Sequence, residues 1–383
     1  MPSPTLLSNA GASIFRDAAT DRLVVGTVDG IFVLEREAKG WREAGRALEG
    51  AAVSAVAQLP SGTLIAATHG LGVGRSTDGG MTWDWSNKGL PQFDLWAARG
   101  GVIGGEQVAL VGSMPAHLMI SRDDGVSWTE LPALREVESF PHWFFPPPPR
   151  LGHVKDIVID RDRLFVGIEV GALLVSDDAG RSFRDLKVDP NPVECDIHRL
   201  LVDPRDREGM IAAVGLVGLV RTQDGGGRWT RDPSLTEMEY PDGLVQHPDR
   251  PDLLFMAVGT GWPPTWYRKR RAQGKIARST DRGRTWERLL GGLPDGQRAL
   301  FSALSIGTRP GGFDLFAADT DGQVFESRDG GDRWTMIAET APVSKGEFYR
   351  ALAKGRPRIA GVDDIKADAA ATARMEAADA SIA

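Results

Sequence analysis

Apolar and polar residues alternate along this chain in short runs, and the runs are cut off by glycine, proline and aspartate. Between residues 53 and 86 the cycle is clear: "VSAVAQL", "TLIAAT", "GVGRS" and "TWDWS" are four short apolar or alternating stretches separated by tight-turn residues. Period-two runs of this length predict β-strands. The same four-run unit returns along the chain. Residues 12–27 match 53–68 in length and apolar pattern, so the first unit is expected to start with its own strand there.

A second pattern marks the end of each unit. "RSTDGGMTW" at 75–83 recurs as "ISRDDGVSW", "VSDDAGRSF", "RTQDGGGRW", "RSTDRGRTW" and "ESRDGGDRW", with a worn copy, "VLEREAKGW", at 33–41. The terminal aromatics are Trp41, Trp83, Trp128, Phe183, Trp229, Trp286 and Trp334, spaced by 42, 45, 55, 46, 57 and 48 residues. That period belongs to propeller blades. The prediction is an all-β chain, a seven-bladed β-propeller of four-stranded antiparallel blades. It occupies residues 1–340, followed by a segment, 341–365, that crosses one face and an Ala-rich tail, 366–383, that is a loose helix or disordered.

The pattern S/T-x-D-x-G-x-x-W/F resembles the Asp-box (BNR repeat) of sialidases, sortilin-type receptors and photosystem II assembly factors. Asp78, Asp123, Asp178, Asp224, Asp281 and Asp329 then hold turns rather than do chemistry: the carboxylate accepts backbone N–H groups and the aromatic packs between blades. These turns join the third and fourth strands of each blade. A functional site is expected on the opposite face, called the top here, where the second-to-third strand turns and the blade-to-blade connections lie.

Two repeats are long, and both insertions fall on that face: "LPALREVESFPHWFFPPPPRLGH" (131–153) and "GTGWPPTWYRKRRAQGK" (259–275). Long loops rich in aromatics are functional more often than idle. They are expected to lie side by side as a lid, stiffened by Pro146–Pro149. Trp143, Trp262 and Trp266 either staple these loops down or form a stacking wall for a sugar-like or aromatic ligand. Tyr267 and the basic run Arg268, Lys269, Arg270 and Arg271 form a solvated tip or capture an anionic group. Tyr349 and Lys345, in the C-terminal crossing segment, are expected to border the ligand.

Of six histidines, five map to the top. His69 and Glu169 hold equivalent positions in blades 2 and 4, and His153 and His198 stand at or near the tops of inner strands. These four are expected to converge at the channel mouth, either as ligands of a divalent metal such as Zn²⁺ or as a metal-free acid–base set. His117 and His142 lie farther out, and His247 falls on the Asp-box face.

Composition narrows the rest. A net charge of −7 and a pI near 5.5 give no reason to expect nucleic-acid binding. The single cysteine, Cys195, suits a reducing compartment. With no signal peptide or membrane-length apolar run, the expectation is a cytoplasmic protein away from the membrane. The resemblance to sialidases implies three arginines, a Tyr–Glu nucleophile and an F/Y-R-I-P segment. Here Phe15–Arg16 lacks the Ile-Pro, and the three tyrosines leave only Tyr240 beside Glu237 and Glu239, so sialidase is not the expectation. The related xyloglucanases need a second propeller. The resemblance to the assembly factors implies instead a protein that grips other proteins. Two function classes therefore stand: a lidded pocket that binds, and as a hydrolase or lyase transforms, a small polar ligand, or a non-catalytic interaction scaffold with a protein partner.

Overall fold

The computed structural model describes residues 4–344 except 18, 147–148, 216, 233–239, 262 and 270. Seven sheets form the ring, six of four strands and one of five; blade 4, for example, is a meander of His153–Asp160, Arg163–Glu169, Ala172–Ser176 and Arg184–Asp185. The chain is a seven-bladed β-propeller. The first strand of each blade packs beside that of the next around the channel, and apolar clusters fill every gap between neighbouring sheets. A blade cannot bury both its faces alone, so each is stable only against its neighbours. Among the described residues no helix is long and apolar enough to cross a membrane.

The box turns are built alike. In blade 2, Ser76 Oγ donates to Asp78 Oδ1 (2.8 Å) and accepts from the Gly80 amide (3.0 Å). Asp78 also accepts from the Met81 and Thr82 amides and the Thr82 hydroxyl. The aromatic then ties the turn down or reaches the preceding blade: Trp83 Nε1 donates to Gly80 O, Trp128 Nε1 to Ser86 O and Trp229 Nε1 to Leu186 O. The worn copy in blade 1 has become a tight hairpin, and Trp41 instead donates to Glu326 of blade 7 under the Arg36 guanidinium.

Ring closure differs from the sequence expectation. The inner strand of blade 1 is Pro4–Leu7, which pairs parallel with Ala19–Thr27. Residues 12–17 do not supply it: Ile14–Phe15 adds as a fifth strand to blade 7, parallel to Phe301–Arg309. An apolar alternation encodes a buried face and says nothing about which sheet edge the strand will meet, hence the misplacement. Between these two strands the N-terminal arm crosses the channel near its top. Ala10 N donates to Ser54 O and Ala98 N to Ala10 O, while Asn9 Nδ2 donates to Ser302 O (2.8 Å) and Asp242 Oδ2 (3.3 Å). Gly11 lies so close to blade 2 that a Cβ there would sit 2.2 Å from Val56 O.

Two predictions follow from this architecture. Deleting residues 1–12 exposes the fully buried Leu6 and Leu7 pockets and should cost at least about 3 kcal/mol in a denaturant titration. The second concerns acid. Slight burial works to raise the carboxyls of Asp123 and Asp281, but bonds from Ser127 or Thr285 outweigh it; at Asp178 the Ser182 bonds lead; all three titrate at about 2. Their stabilisation is thus complete above the unfolded value near ~4 and lost as pH falls through about 2. Melting curves of the Asp123→Asn, Asp178→Asn, Asp281→Asn triple variant should be lower at pH 6 and flatter between pH 4 and 2 than those of the native chain.

Candidate functional site at the top of the channel

The inner strands of blades 2 to 7 share one irregularity. Each carries a β-bulge at its top, between Val53 and Ala55, Leu95 and Ala97, Val154 and Asp156, Ile197 and Arg199, Pro241 and Gly243, and Phe301 and Ala303. A bulge leaves one residue unpaired and re-aims its side chain. The bulged residues are Ser54, Trp96, Lys155, His198, Asp242 and Ser302, and two positions before each stand Ala52, Asp94, His153, Asp196, Tyr240 and Leu300. All twelve are buried. The charged, imidazole and ring-bearing members fall in blades 3 to 6; blades 2 and 7 carry small or aliphatic residues there.

Glu169, paired across the sheet from His153, gathers this sector. Its Oε2 lies 3.0 Å from Lys155 Nζ and 3.4 Å from His153 Nε2, and its Oε1 lies 3.7 Å from His198 Nε2. His198 Nδ1 donates to Pro241 O (2.6 Å), while Nε2 faces Asp196 Oδ1 (3.2 Å) and the Tyr240 hydroxyl (3.2 Å). Asp242 Oδ1 lies 3.9 Å from His198 Nδ1. Burial favours neutral forms, yet here the partners win. Lys155 and the two histidines hold the Glu169 carboxyl well below its ordinary value despite burial. Burial would lower His198, but Asp196 and Glu169 push it up to about 10. Lys155 Nζ, Glu169 Oε2 and Asp196 Oδ1 nevertheless make no well-directed hydrogen bond.

His69 stands apart from this group. Its Nδ1 lies 2.9 Å from Asp94 Oδ1, and the Trp96 indole separates it from His153, with ring centroids 4.7 Å from His69 and 3.8 Å from His153. Among the described residues, the set whose ligating atoms lie within 4.8 Å of one another is Glu169, Asp196 and His198. Asp196, not singled out in the sequence, joins Glu169 and His198 in this set, while His153 lies beside Glu169 and His69 lies with Asp94. His117 pairs with Glu130 on the outer side of blade 3, and His247 accepts turn amides on the Asp-box face.

The insertions reach this centre from two ends. In 131–153, Trp143 is buried, donates to Ser139 Oγ (3.0 Å) and packs edge-on against Phe140. Phe144 exchanges backbone bonds with Val170, and Phe145 packs on Trp96 and His153. In 259–275 a short helix, Pro263–Lys269, includes Tyr267 and Arg268. It sinks Trp266, which is 1% exposed, against Tyr240, with Nε1 donating to Thr260 O (2.7 Å). Both indoles therefore staple their loops. The insertions flank the row His153, Glu169, His198, Tyr240 from opposite sides. Trp262, Pro147, Pro148, Lys345 and Tyr349 lie outside the described residues. Residues 341–344 turn inward over the top: Val28 N donates to Pro342 O, Val343 N to Asp319 O, and Ser344 Oγ lies 3.4 Å from His69 Nε2.

Lys155, Asp196, Tyr240 and Asp242 were legible in principle. Aligning the tops of the inner strands position by position places Lys155, His198 and Asp242 in one column and His153, Asp196 and Tyr240 in another. By that register His153 and His198 are not equivalent.

No family model matches the chain, and no curated protein matches it. Solved structures do. A GH74 xyloglucanase from Xanthomonas campestris superposes with a TM-score of 0.57 at 17% identity, over 89% of this chain and 69% of that one. YCF48 from Cyanidioschyzon merolae gives 0.56 at 16%, over 86% and 97%. YCF48 bound to D1 peptide gives 0.51 at 19%, over 75% and 81%. The likeness is one of fold, shared by enzymes and by a protein that binds a peptide.

The buried ion pair can be tested by a cycle. Lys155→Met should cost about 3–5 kcal/mol by leaving Glu169 without its cation. Adding Glu169→Gln should recover much of that loss in denaturant titrations.

Proposed function

We propose that the top of the channel is the working site of this propeller, a closed polar centre that takes a small polar ligand together with a divalent cation held by Glu169, Asp196 and His198. The observation that carries this reading is the contrast between blades. Positions that blades 2 and 7 close with Ala52, Ser54, Leu300 and Ser302 hold Lys155, Asp196, His198 and Asp242 in blades 4 to 6, all buried. Burying such ions costs several kcal/mol each before pairing, and the fold closes without them elsewhere in the same ring. Groups kept at that cost, with carboxylate oxygens short of directed hydrogen bonds, are what a binding site needs.

One imidazole and two carboxylates suit Zn²⁺ or Mn²⁺ better than a thiophilic ion. A bound cation would polarise a carbonyl or phosphoryl oxygen of the ligand, or activate water. Around it the chain supplies the Lys155 ammonium for a ligand anion and the Tyr240 hydroxyl as a hydrogen-bond partner. A hydrolase or lyase would use these groups.

A scaffold reading has its own observation. Trp85 and Val126 are half exposed, and Ser86 Oγ bonds to Val126 O, so they neighbour each other on the outer edge of blades 2 and 3. A protein partner would cover them, as the fold likeness to a peptide-bound YCF48 encourages. Calorimetric titration of untagged protein with Zn²⁺ and Mn²⁺ separates the two. Saturable one-to-one binding, weakened at least ~10-fold by Asp196→Asn and by Glu169→Gln, is expected. No binding heat with either ion, or binding indifferent to both substitutions, overturns the cation centre.

A further inference from the structure

We propose that Ser344, His69 and Asp94 form a nucleophilic triad at the blade 2 side of the mouth, competent for acyl transfer from a carboxylic ester. This rests on residues separate from the cation set. Ser344 Oγ lies 3.4 Å from His69 Nε2, and His69 Nδ1 lies 2.9 Å from Asp94 Oδ1. The two ring nitrogens thus face a hydroxyl on one side and a carboxylate on the other, the arrangement that activates serine on unrelated folds. All three residues are about 2% exposed, so water competes little for these contacts.

The order of partners carries the chemistry. Asp94 is acceptor-only when ionised, so it keeps the proton on Nδ1 and leaves the Nε2 lone pair toward Ser344. That is the tautomer a general base requires. A distance of 3.4 Å is long for a hydrogen bond, and such contacts often tighten only when substrate arrives.

Each member is positioned by backbone rather than by chance of rotamer. His69 and Asp94 form a β-bridge, His69 N donates to Ala52 O, and Met114 N donates to Asp94 O. The edge-on Trp96 ring limits the imidazole's swing. Ser344 is carried in by Pro342 and Val343, whose backbones are bonded to Val28 and Asp319. These residues come from blades 2 and 3 and from the segment after blade 7, so no sequence motif joins them.

In the reaction, Ser344 Oγ attacks the ester carbonyl carbon while its proton passes to His69 Nε2. The bond from that carbon to the leaving oxygen breaks, and His69 returns the proton to the departing alcohol. Water then attacks the acyl-serine, gives its proton to His69, and the acid leaves as Ser344 Oγ regains a proton. Asp94 stabilises the imidazolium and is a positioning residue.

The test treats the full, folded chain with a fluorophosphonate probe and with p-nitrophenyl acetate, both in EDTA so that the result is independent of the cation centre. Peptide mapping should place the phosphonyl group on Ser344 within 334–345. Ser344→Ala should abolish labelling and esterase turnover without shifting the melting temperature. His69→Gln and Asp94→Asn should slow labelling about 10²–10⁴-fold near neutral pH, and Asp94→Asn should change the pH–rate profile, which a merely structural contact would not. Labelling on another residue, no labelling of Ser344, or a labelling rate indifferent to His69→Gln overturns the proposal.

Discussion

Ring closure is the constraint on which this molecule depends. Each sheet buries its two faces only against its neighbours, so an open ring would expose two apolar sheets at once. The N-terminal arm closes it with two strands. Pro4–Leu7 completes blade 1 from inside and Ile14–Phe15 completes blade 7, so the arm bonds to both sides of the seam. Its crossing stretch bonds to blades 2, 3, 6 and 7, through Ser54, Ala98, Asp242 and Ser302. The same segment that joins the ring also roofs the channel.

That roof and the six bulges together give the mouth its character. A bulge turns one inner-strand residue per blade out of the ladder and toward neighbouring blades or the channel. Where the residue is Ser54 or Ser302, the position is closed quietly. Where it is Lys155, His198 or Asp242, charged groups meet in a buried space, and Lys155 and the histidines hold the Glu169 carboxyl well below its ordinary value despite burial. The charged strand-top groups are confined to blades 3 to 6, while the Asp-boxes on the other face hold the scaffold. Asn9 links the two roles, since it bonds both to the strand top of blade 7 and to Asp242.

The insertions show how little residue type says about use. Trp143 and Trp266 are aromatic residues in long loops, which fits a ligand wall and a structural staple equally well. Their indole N–H groups donate to Ser139 Oγ and Thr260 O, within the same loops, and their rings are buried against protein. Phe145 and Tyr240, which carry that packing onward to His153 and His198, were the more informative aromatics.

Blade number, the Asp-box turns and the face that bears the long loops were legible in the sequence because all three rest on local bonds. Ser76, Asp78 and Thr82 find one another within seven residues, and the pattern repeats wherever the turn does. Equal offsets from the boxes put Glu169 and His69 at equivalent positions, and the repeat placed His153 and His198 at or near the tops of inner strands. What the sequence left open was every choice that depends on a distant partner. It could not say that Ile14–Phe15 joins blade 7, that Asp196 rather than His69 lies beside Glu169 and His198, or that Ser344 reaches a histidine 275 positions away. A strand's alternation records that one face is buried and a carboxylate records only its charge. Which edge the strand meets and which cation the carboxylate faces are settled by closing the ring, because only then do seven strand tops share one small volume.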